Sequence, residues 1–259
     1  MKCVVLAGGV NRRELYPGYR PGFKATVEIH RRPLLSYVLE ALESATGIEE
    51  VAIVGDRAAL EPIAGGTRRF LTPGETLVES IKSALGAFPD EDRVLLCTAD
   101  LPMLRGEMVD RFLEDCPDDR PGYRDHLFLS MVPAASFVGL FASCRKNFNR
   151  FRDVAVCHGN LALASPTILE NREAMSRIDQ IYAARTSPVA SALAIGPALG
   201  LAYVLGVHFF PLLRLETFTA MLSRRFSIGM RAVFQRFPEI AVDIDEPADY
   251  HIAIEVLRS

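Results

Sequence analysis

The chain has 259 residues, 49% of them hydrophobic, which is enough to bury a sizeable core in one large α/β domain or two small ones. This composition excludes an intrinsically disordered chain. The formal net charge of −3 excludes a broad basic surface, so we predict no nucleic-acid partner.

The first hundred residues alternate between strand-like and helix-like patterns. Short apolar runs predict strands at residues 2–6, 51–54, 70–71 and 93–97. Apolar residues at helical spacing predict helices at residues 33–43, 57–63, 75–87 and 105–115. Strands separated by helices of this length are typical of right-handed βαβ units. We therefore predict an α/β fold, a three-layer sandwich with a mostly parallel, Rossmann-like central sheet.

The pattern changes after about residue 120. Strands are predicted at residues 127–132, 154–164 and 232–234, one amphipathic helix at 167–185, and a final helix at 246–257. Two basic clusters, Arg145–Lys146 and residues 150–152, are interpreted as solvated surface. Because no repeat or low-complexity linker divides the chain, we predict a single domain spanning residues 1–259.

One uncharged stretch starts at Ser187 and ends at Leu213, and its length of about 27 residues would permit a membrane span. Pro188, Pro197 and Pro211 interrupt it, as do several glycines. Three interpretations stay open: buried or partner-covered helices, a surface docked on a membrane, and a true span. A peripheral membrane contact or an oligomer contact through this stretch is therefore among the candidate interactions.

The five cysteines give an indication of the cellular compartment. They include no C-x-x-C pair and are odd in number, which predicts neither a zinc site nor a disulfide framework. The N-terminus lacks a basic region followed by a long apolar run, so no signal peptide is predicted. A reducing, cytoplasmic location is the expectation that follows.

A glycine pair follows the first predicted strand. Gly8 and Gly9 let the backbone approach a ligand closely, and the cations Arg13 and Lys24 soon afterwards suit a ligand that carries phosphates. The alternative is a simple tight turn. Neither the G-x-G-x-x-G dinucleotide fingerprint nor a P-loop is present.

An acidic residue follows the most apolar strand. Asp100 comes after the strand at 93–97, and the carboxyl end of a parallel strand is where α/β sheets bind ligands. A carboxylate there suits Mg²⁺, which takes one or two carboxylates and substrate phosphates as ligands. The alternative is a helix N-cap for a segment that starts near Pro102.

A second acidic element lies near the C-terminus. If this segment is extended, Asp243 and Asp245 point to the same face, and both could approach one metal ion. Alternatively, Asp245 caps the last helix, with Pro247 in its first turn.

In combination, these elements are more specific than any one of them. They are Leu6-Ala7-Gly8-Gly9, Arg13, Phe23-Lys24-Ala25, Pro33-Leu34-Leu35, Asp100-Leu101-Pro102 and the D-x-D-x-P-x-D string of residues 243–249. Their order and spacing resemble those of the MobA-type nucleotidyltransferases, a class with a GT-A-like fold, over nearly the whole chain. Gly159-Asn160 is similar to an acceptor-side element of that class.

The resemblance implies an enzyme that joins an NTP to a small phosphorylated or acidic acceptor and releases pyrophosphate. Residues 1–120 would form the NTP-binding half and residues 121–259 the acceptor-binding half. The implied site roles fall into three groups: Leu6, Ala7, Gly8, Gly9, Gly74 and Ser80 bind the nucleotide; Arg13 and Lys24 neutralise its triphosphate; and Asp100, Asp245 and Asp243 hold Mg²⁺.

The chain departs from the class at two places. The segment of residues 14–23 between Arg13 and Lys24 is longer than usual, and Asn11 stands where a small Gly or Ser is typical. Two alternative functions on the same fold stay open. One is a non-catalytic nucleotide-binding regulatory or assembly protein, and the other is a glycosyltransferase with a sugar-nucleotide donor.

Overall fold

The computed structural model describes residues 1–117, 125–184, 196–203 and 212–258. The strands in chain order are β1 (Lys2–Leu6), β2 (Val10–Asn11), β3 (Gly22–Phe23), β4 (Glu28–Ile29), β5 (Arg32–Pro33), β6 (Glu50–Val54), β7 (Arg69–Leu71), β8 (Val94–Thr98), β9 (Asp125–Pro133), β10 (Asn149–Arg150), β11 (Ala155–Ala164) and β12 (Gly229–Phe234). The helices are α1 (Leu34–Ser44), α2 (Arg57–Ala64), α3 (Leu77–Gly86), α4 (Gly106–Asp115), α5 (Arg172–Ala184), α6 (Pro197–Tyr203), α7 (Leu215–Phe226) and α8 (Pro247–Val256).

Eight of these strands form one sheet in the order β12-β9-β11-β8-β1-β6-β7, with β10 paired to β11. Strands β8, β1, β6 and β7 run parallel to one another. Strand β11 is antiparallel to both β8 and β9, and β12 is parallel to β9. The predicted α/β fold with a mostly parallel central sheet is therefore confirmed, and strands from both halves of the chain share that sheet.

Helices cover both faces of the sheet because the central strands are apolar on both sides. Along β1, Cys3 and Val5 belong to one core cluster with α1 and α4, whereas Val4 belongs to another with α3 and α7. All three side chains are fully buried. A strand buried on both faces reads as a continuous apolar run, which is the pattern that predicted it.

The prediction of one continuous helix at residues 167–185 is wrong. A 3₁₀ helix at Pro166–Glu170 precedes α5, and the two are separated at Asn171. The Asn171 side chain donates a hydrogen bond to the Phe226 carbonyl oxygen at 3.1 Å, at the end of α7. Asn favours such side-chain bonds to the backbone over a helix interior, which explains the break.

The uncharged stretch from Ser187 to Leu213 is described only in part. Residues 196–203 and 212–213 are described, and the rest of that prediction falls outside the described residues. The described part contains the short helix α6, in which Leu199 is buried. No helix among the described residues is long and apolar enough to cross a membrane.

The packing of α4 on α1 gives a test of the fold. A Cβ atom at Gly106, the first residue of α4, would lie 2.5 Å from Ser44 Oγ and 2.9 Å from the Ala45 nitrogen. We expect Gly106→Ala to lower the free energy of unfolding by about 1–3 kcal/mol, because the backbone of α1 would have to shift. Urea unfolding of the variant measures this change.

Gly86→Ala is the matched control, because Gly86 ends α3 and its nearest contact would be a side-chain carbon of Leu169 at 3.9 Å. Alanine should be neutral there, or stabilising by up to about 1 kcal/mol. Equal stability of the two variants would contradict the described packing of α4 on α1.

Candidate functional site

A cavity of about 530 Å³ opens at the carboxyl ends of β6, β1 and β8. In open α/β sheets, ligands bind at this edge. The predicted site residues in its lining are Leu6, Ala7, Gly8, Gly9, Lys24, Gly74, Ser80, Asp100 and Asp243. Asp245 reaches the same place through its ion pair with Lys24. The structure thus brings together side chains that are far apart in sequence.

The glycine loop is held at both of its ends. The Ala7 N–H donates to the Val54 oxygen at 2.8 Å, and the Lys24 N–H donates to the Gly9 oxygen at 2.9 Å. Within the described parts of the chain, the N–H groups of Gly8 and Gly9 have no hydrogen-bond partner. Neither glycine has a positive φ, so a turn that needs left-handed backbone does not explain the pair.

The opposite wall of the cavity is the start of α3. Thr76 is the N-cap residue and forms a capping box with Glu79. Gly74 approaches this helix so closely that a Cβ atom would lie 2.8 Å from the Glu79 carbonyl carbon. The Gly74 N–H donates to Ser80 Oγ at 3.1 Å. Gly74 and Ser80 therefore fix the shape of this wall, and their contact with a nucleotide remains a prediction.

Three carboxylates meet at the end of β8. Oxygen atoms of Asp100, Asp243 and Asp245 all lie within 4.8 Å of one another. The Lys24 ammonium lies 2.7 Å from Asp100 Oδ2 and 3.7 Å from Asp243 Oδ2, and it also contacts Asp245 Oδ1. The Ile244 N–H donates to the Asp100 backbone oxygen at 3.2 Å, which ties the two acidic segments together.

Helix capping does not explain these acids. Helix α4 begins at Gly106, with Arg105 as its N-cap, so Asp100 is not a capping residue. The N-cap of α8 is Glu246, which shares a capping box with Asp249, and Asp245 lies outside it. The capping alternatives for Asp100 and Asp245 are therefore both wrong.

The buried charges shift one another's pKa. Burial opposes the charge of Lys24, but the carboxylates of Asp100 and Asp245 raise its pKa above the usual range. Burial likewise opposes the charge of Asp243, yet Lys146 and Lys24 hold its pKa below the usual value. For Asp245, burial and the neighbouring Asp243 carboxylate raise the pKa. Burial also opposes the charge of Lys146, but the carboxylates of Asp243 and Asp249 raise its pKa, so both lysines carry a positive charge at neutral pH.

Lys146 is part of this cluster, and the prediction that it belongs to solvated surface is wrong. Its side chain is 14% exposed, and its ammonium lies 3.1 Å from Asp243 Oδ1 and 3.6 Å from Asp249 Oδ1. Cys144, Lys146 and Phe148 are partly buried and alternate with exposed residues, but in the sequence only the apolar Cys144 and Phe148 indicate this alternation.

Arg13 does not enter the cavity. Its side chain is 68% exposed and forms an ion pair with Glu246, the N-cap residue of α8. Arg13, which was predicted to neutralise the triphosphate, therefore lies beside the site and not in it. Sequence reasoning did not identify Glu246 as its partner.

The long segment of residues 14–23 is anchored to the acidic end of the chain. Leu15 is buried in a cluster with Ile244 and Ile252, and the rings of Tyr16 and Tyr250 lie 5.0 Å apart. Asn11 is also buried, and its Oδ1 accepts the Arg13 N–H at 2.8 Å. The segment thus connects the glycine loop to α8.

Asn160 lines the cavity from the second half of the chain. The register of β11 against β9 shifts between His158 and Ala162, which marks a β-bulge. Ser130 Oγ holds the bulge by donating to the Leu161 oxygen and accepting the Leu161 N–H. The Asn160 amide donates to the Ile240 oxygen at 3.3 Å, so the bulge fixes this side chain at the cavity.

Comparisons with known proteins identify the family of the chain. The MobA-like NTP transferase domain matches residues 3–185. The chain is therefore a nucleotidyltransferase, and it belongs to the family of the MobA-like NTP transferase domain. No curated protein matches it.

Solved structures share the fold over the full chain. A hypothetical transferase from Thermus thermophilus is 29% identical, with a TM-score of 0.77 over 96% of this chain and 100% of the other. The 2-C-methyl-D-erythritol 4-phosphate cytidylyltransferase of Thermus thermophilus is 18% identical, with a TM-score of 0.56 over 100% of both chains. A CMP:2-keto-3-deoxy-manno-octonic acid synthetase, solved with CTP, is 13% identical, with a TM-score of 0.55 over 99% of this chain and 98% of the other.

The capping box of α8 gives a test of the acidic cluster. Asp249 Oδ2 accepts the N–H of Glu246 at 3.1 Å and that of Asp245 at 3.4 Å. We expect Asp249→Ala to lower the free energy of unfolding by about 1–2 kcal/mol, because two N–H groups at the start of α8 lose their acceptor. Urea unfolding measures the change. Glu255→Ala, an exposed position on the same helix, is the control, and an equal effect there would contradict this role for Asp249.

Proposed function

We propose that this nucleotidyltransferase transfers the nucleotidyl group of an NTP to a small, phosphorylated or acidic acceptor, with Mg²⁺ as cofactor and pyrophosphate as the leaving product. The observation that carries the proposal is the meeting of Asp100, Asp243, Asp245 and Lys24 beside a glycine loop whose N–H groups have no partner among the described residues. Carboxylate oxygens are suitable ligands for Mg²⁺, and free backbone N–H groups are suitable hydrogen-bond donors to phosphate. A cavity that has both suits a triphosphate with a bound metal ion.

The acidic cluster fits a divalent cation. One oxygen of Asp100, Oδ1, is buried and has no partner among the described residues. Four carboxylates, those of Asp100, Asp243, Asp245 and Asp249, face two ammonium groups, those of Lys24 and Lys146. The formal sum of these six groups is −2, and this excess negative charge attracts a divalent cation. Asp100, Asp243 and Asp245 would hold the ion, and it would neutralise charge on the phosphate oxygens.

The chain's own residues would position and neutralise the triphosphate. The N–H groups of Gly8 and Gly9 would donate to phosphate oxygens, and the Lys24 ammonium would neutralise their charge. The acceptor oxygen attacks the α-phosphorus, and the bond to pyrophosphate breaks in line with that attack. Such a reaction depends on positioning, which fits a loop fixed at both ends.

The two walls of the cavity suggest where the base and the acceptor would lie. Gly74 and Ser80 form the wall at the start of α3, and we assign the base to it. Asn160 and Asp243 come from the second half of the chain, and we assign the acceptor to their side. Because the names of two similar structures specify cytidylyl or CTP chemistry, CTP belongs in the first set of nucleotides to test.

A crossed screen tests the proposal: each common NTP against sugar phosphates, polyol phosphates, a pterin phosphate and phospho-acids, with and without Mg²⁺. We expect pyrophosphate release that needs one NTP, one acceptor and Mg²⁺ together. Nucleotide binding without pyrophosphate across the whole set would instead support the non-catalytic alternative.

Asp100→Asn is the variant that ties this activity to the site. It keeps the volume of the side chain but removes its negative charge, so pyrophosphate release should fall by at least about 10²-fold. Asp110→Asn is the control, because it makes the same chemical change at an aspartate that does not line the cavity and whose carboxylate accepts the backbone N–H groups of Thr46 and Gly47. Full activity in Asp100→Asn would remove Asp100 from the proposed metal site.

A further inference from the structure

We propose that Lys24 occupies the divalent-cation position of the ligand-free site, and that it exchanges its carboxylate partners for the triphosphate when the cation binds. The inference rests on the proposed function and adds to it a link between cation binding and nucleotide binding. It assigns Lys24 two successive sets of partners, whereas the class resemblance implies only the second.

The first observation is the position of the ammonium group. Lys24 Nζ contacts Asp100 and Asp245 and lies 3.7 Å from Asp243, so it faces all three carboxylates of the candidate cation site. The oxygens that would bind a divalent cation lie within 4.8 Å of one another. A divalent cation at about 2.0–2.1 Å from these oxygens would repel an ammonium held by the same atoms.

The second observation is that Lys146 does not share this position. Its ammonium contacts Asp243 Oδ1 and Asp249 Oδ1, whereas Lys24 faces Asp243 Oδ2. Within the described residues, neither Asp100 nor Asp245 forms an ion pair with Lys146. Lys146 can therefore remain in place as a fixed counter-ion when the cation binds, while Lys24 has to leave.

The third observation is that Lys24 has a short path to the phosphates. Its backbone N–H is bonded to the Gly9 oxygen, and its Cδ atom would lie 3.6 Å from a Cβ at Gly9. The side chain thus runs along the glycine loop that would hold the triphosphate. Rotation of side-chain torsions would carry the ammonium from the acids to a phosphate on that loop, without a backbone shift.

The exchange makes two binding events favour each other. When a cation displaces Lys24 from the carboxylates, the ammonium becomes free to bind the triphosphate. Conversely, when a triphosphate binds the ammonium, the carboxylates become free to bind the cation. By thermodynamic linkage, each ligand then raises the affinity for the other by the same factor.

The test uses Mn²⁺ as a spectroscopic probe of the full chain without nucleotide, with free Mn²⁺ measured by electron paramagnetic resonance. Wild type, Lys24→Met and Lys146→Met are compared. Removal of either buried positive charge strengthens cation binding electrostatically, but only Lys24 has to be displaced. We expect Lys24→Met to bind Mn²⁺ at least about 10-fold more tightly than wild type, and Lys146→Met to gain clearly less.

A nucleotide measurement completes the design. The affinity for a non-hydrolysable NTP analogue, measured with and without Mn²⁺, should show a smaller enhancement by Mn²⁺ in Lys24→Met than in wild type. Circular dichroism checks that each variant is folded, and Lys24→Gln replaces Lys24→Met if the latter fails to fold, with the same expectation.

Several results would overturn the proposal. The proposal is wrong if Lys24→Met binds Mn²⁺ no more tightly than wild type. It is also wrong if Lys24→Met and Lys146→Met gain equally in Mn²⁺ affinity, because Lys24 would then not hold the cation position. Absence of Mn²⁺ binding in all variants would remove both this proposal and the metal part of the proposed function. If wild type released no pyrophosphate but the Mn²⁺ pattern held, the proposed reaction would fail while the exchange stood.

Discussion

The described site depends on a group of acids, of which Asp100 and Asp249 are buried, that two lysines hold together. Burial of carboxylates without partners is costly, and removal of one partner leaves an uncompensated charge. Lys24 therefore links the end of β8 to Asp243 and Asp245, and Lys146 links Asp243 to the capping box of α8. The two ammonium groups thus join acids from distant parts of the chain at one site.

The fold supports this arrangement with apolar and backbone contacts. Ile244 lies between the two aspartates, is fully buried, and donates its N–H to the Asp100 oxygen. Val242 and Ile244 are buried and alternate with the aspartates, so the apolar side chains enter the core and the acidic ones lie on the side of the cavity. Leu15 packs in the same cluster, so the segment of residues 14–23 braces the glycine loop against α8.

Much of this could be predicted from the sequence because the relevant rules are local. A strand that ends in Gly8-Gly9 and another that ends near Asp100 place both groups at the same edge of a parallel sheet. The strand pattern and the right-handed crossover rule predict this edge of the sheet. The resemblance to the MobA-type class was needed to place Asp243 and Asp245 there, because their spacing alone left helix capping open.

Other features could not be predicted, because they depend on partners distant in sequence. The burial of Lys146 requires Asp243 and Asp249, 97 and 103 positions away, and nothing in its neighbours specifies them. Two other features also depend on distant partners. Arg13 pairs with Glu246 at the start of α8, and Asn171 interrupts a helix because it bonds to Phe226 at the end of α7. Mg²⁺, the base, the acceptor and the cytoplasmic location stay predictions.

The most direct measurement of the central claim is a crystal structure with Mn²⁺ and a non-hydrolysable NTP analogue, with the ion located by anomalous scattering. The account predicts an anomalous peak among the carboxylates of Asp100, Asp243 and Asp245, and the Lys24 ammonium on a phosphate oxygen. An ion bound elsewhere, with Lys24 still paired to Asp100 and Asp245, would contradict it.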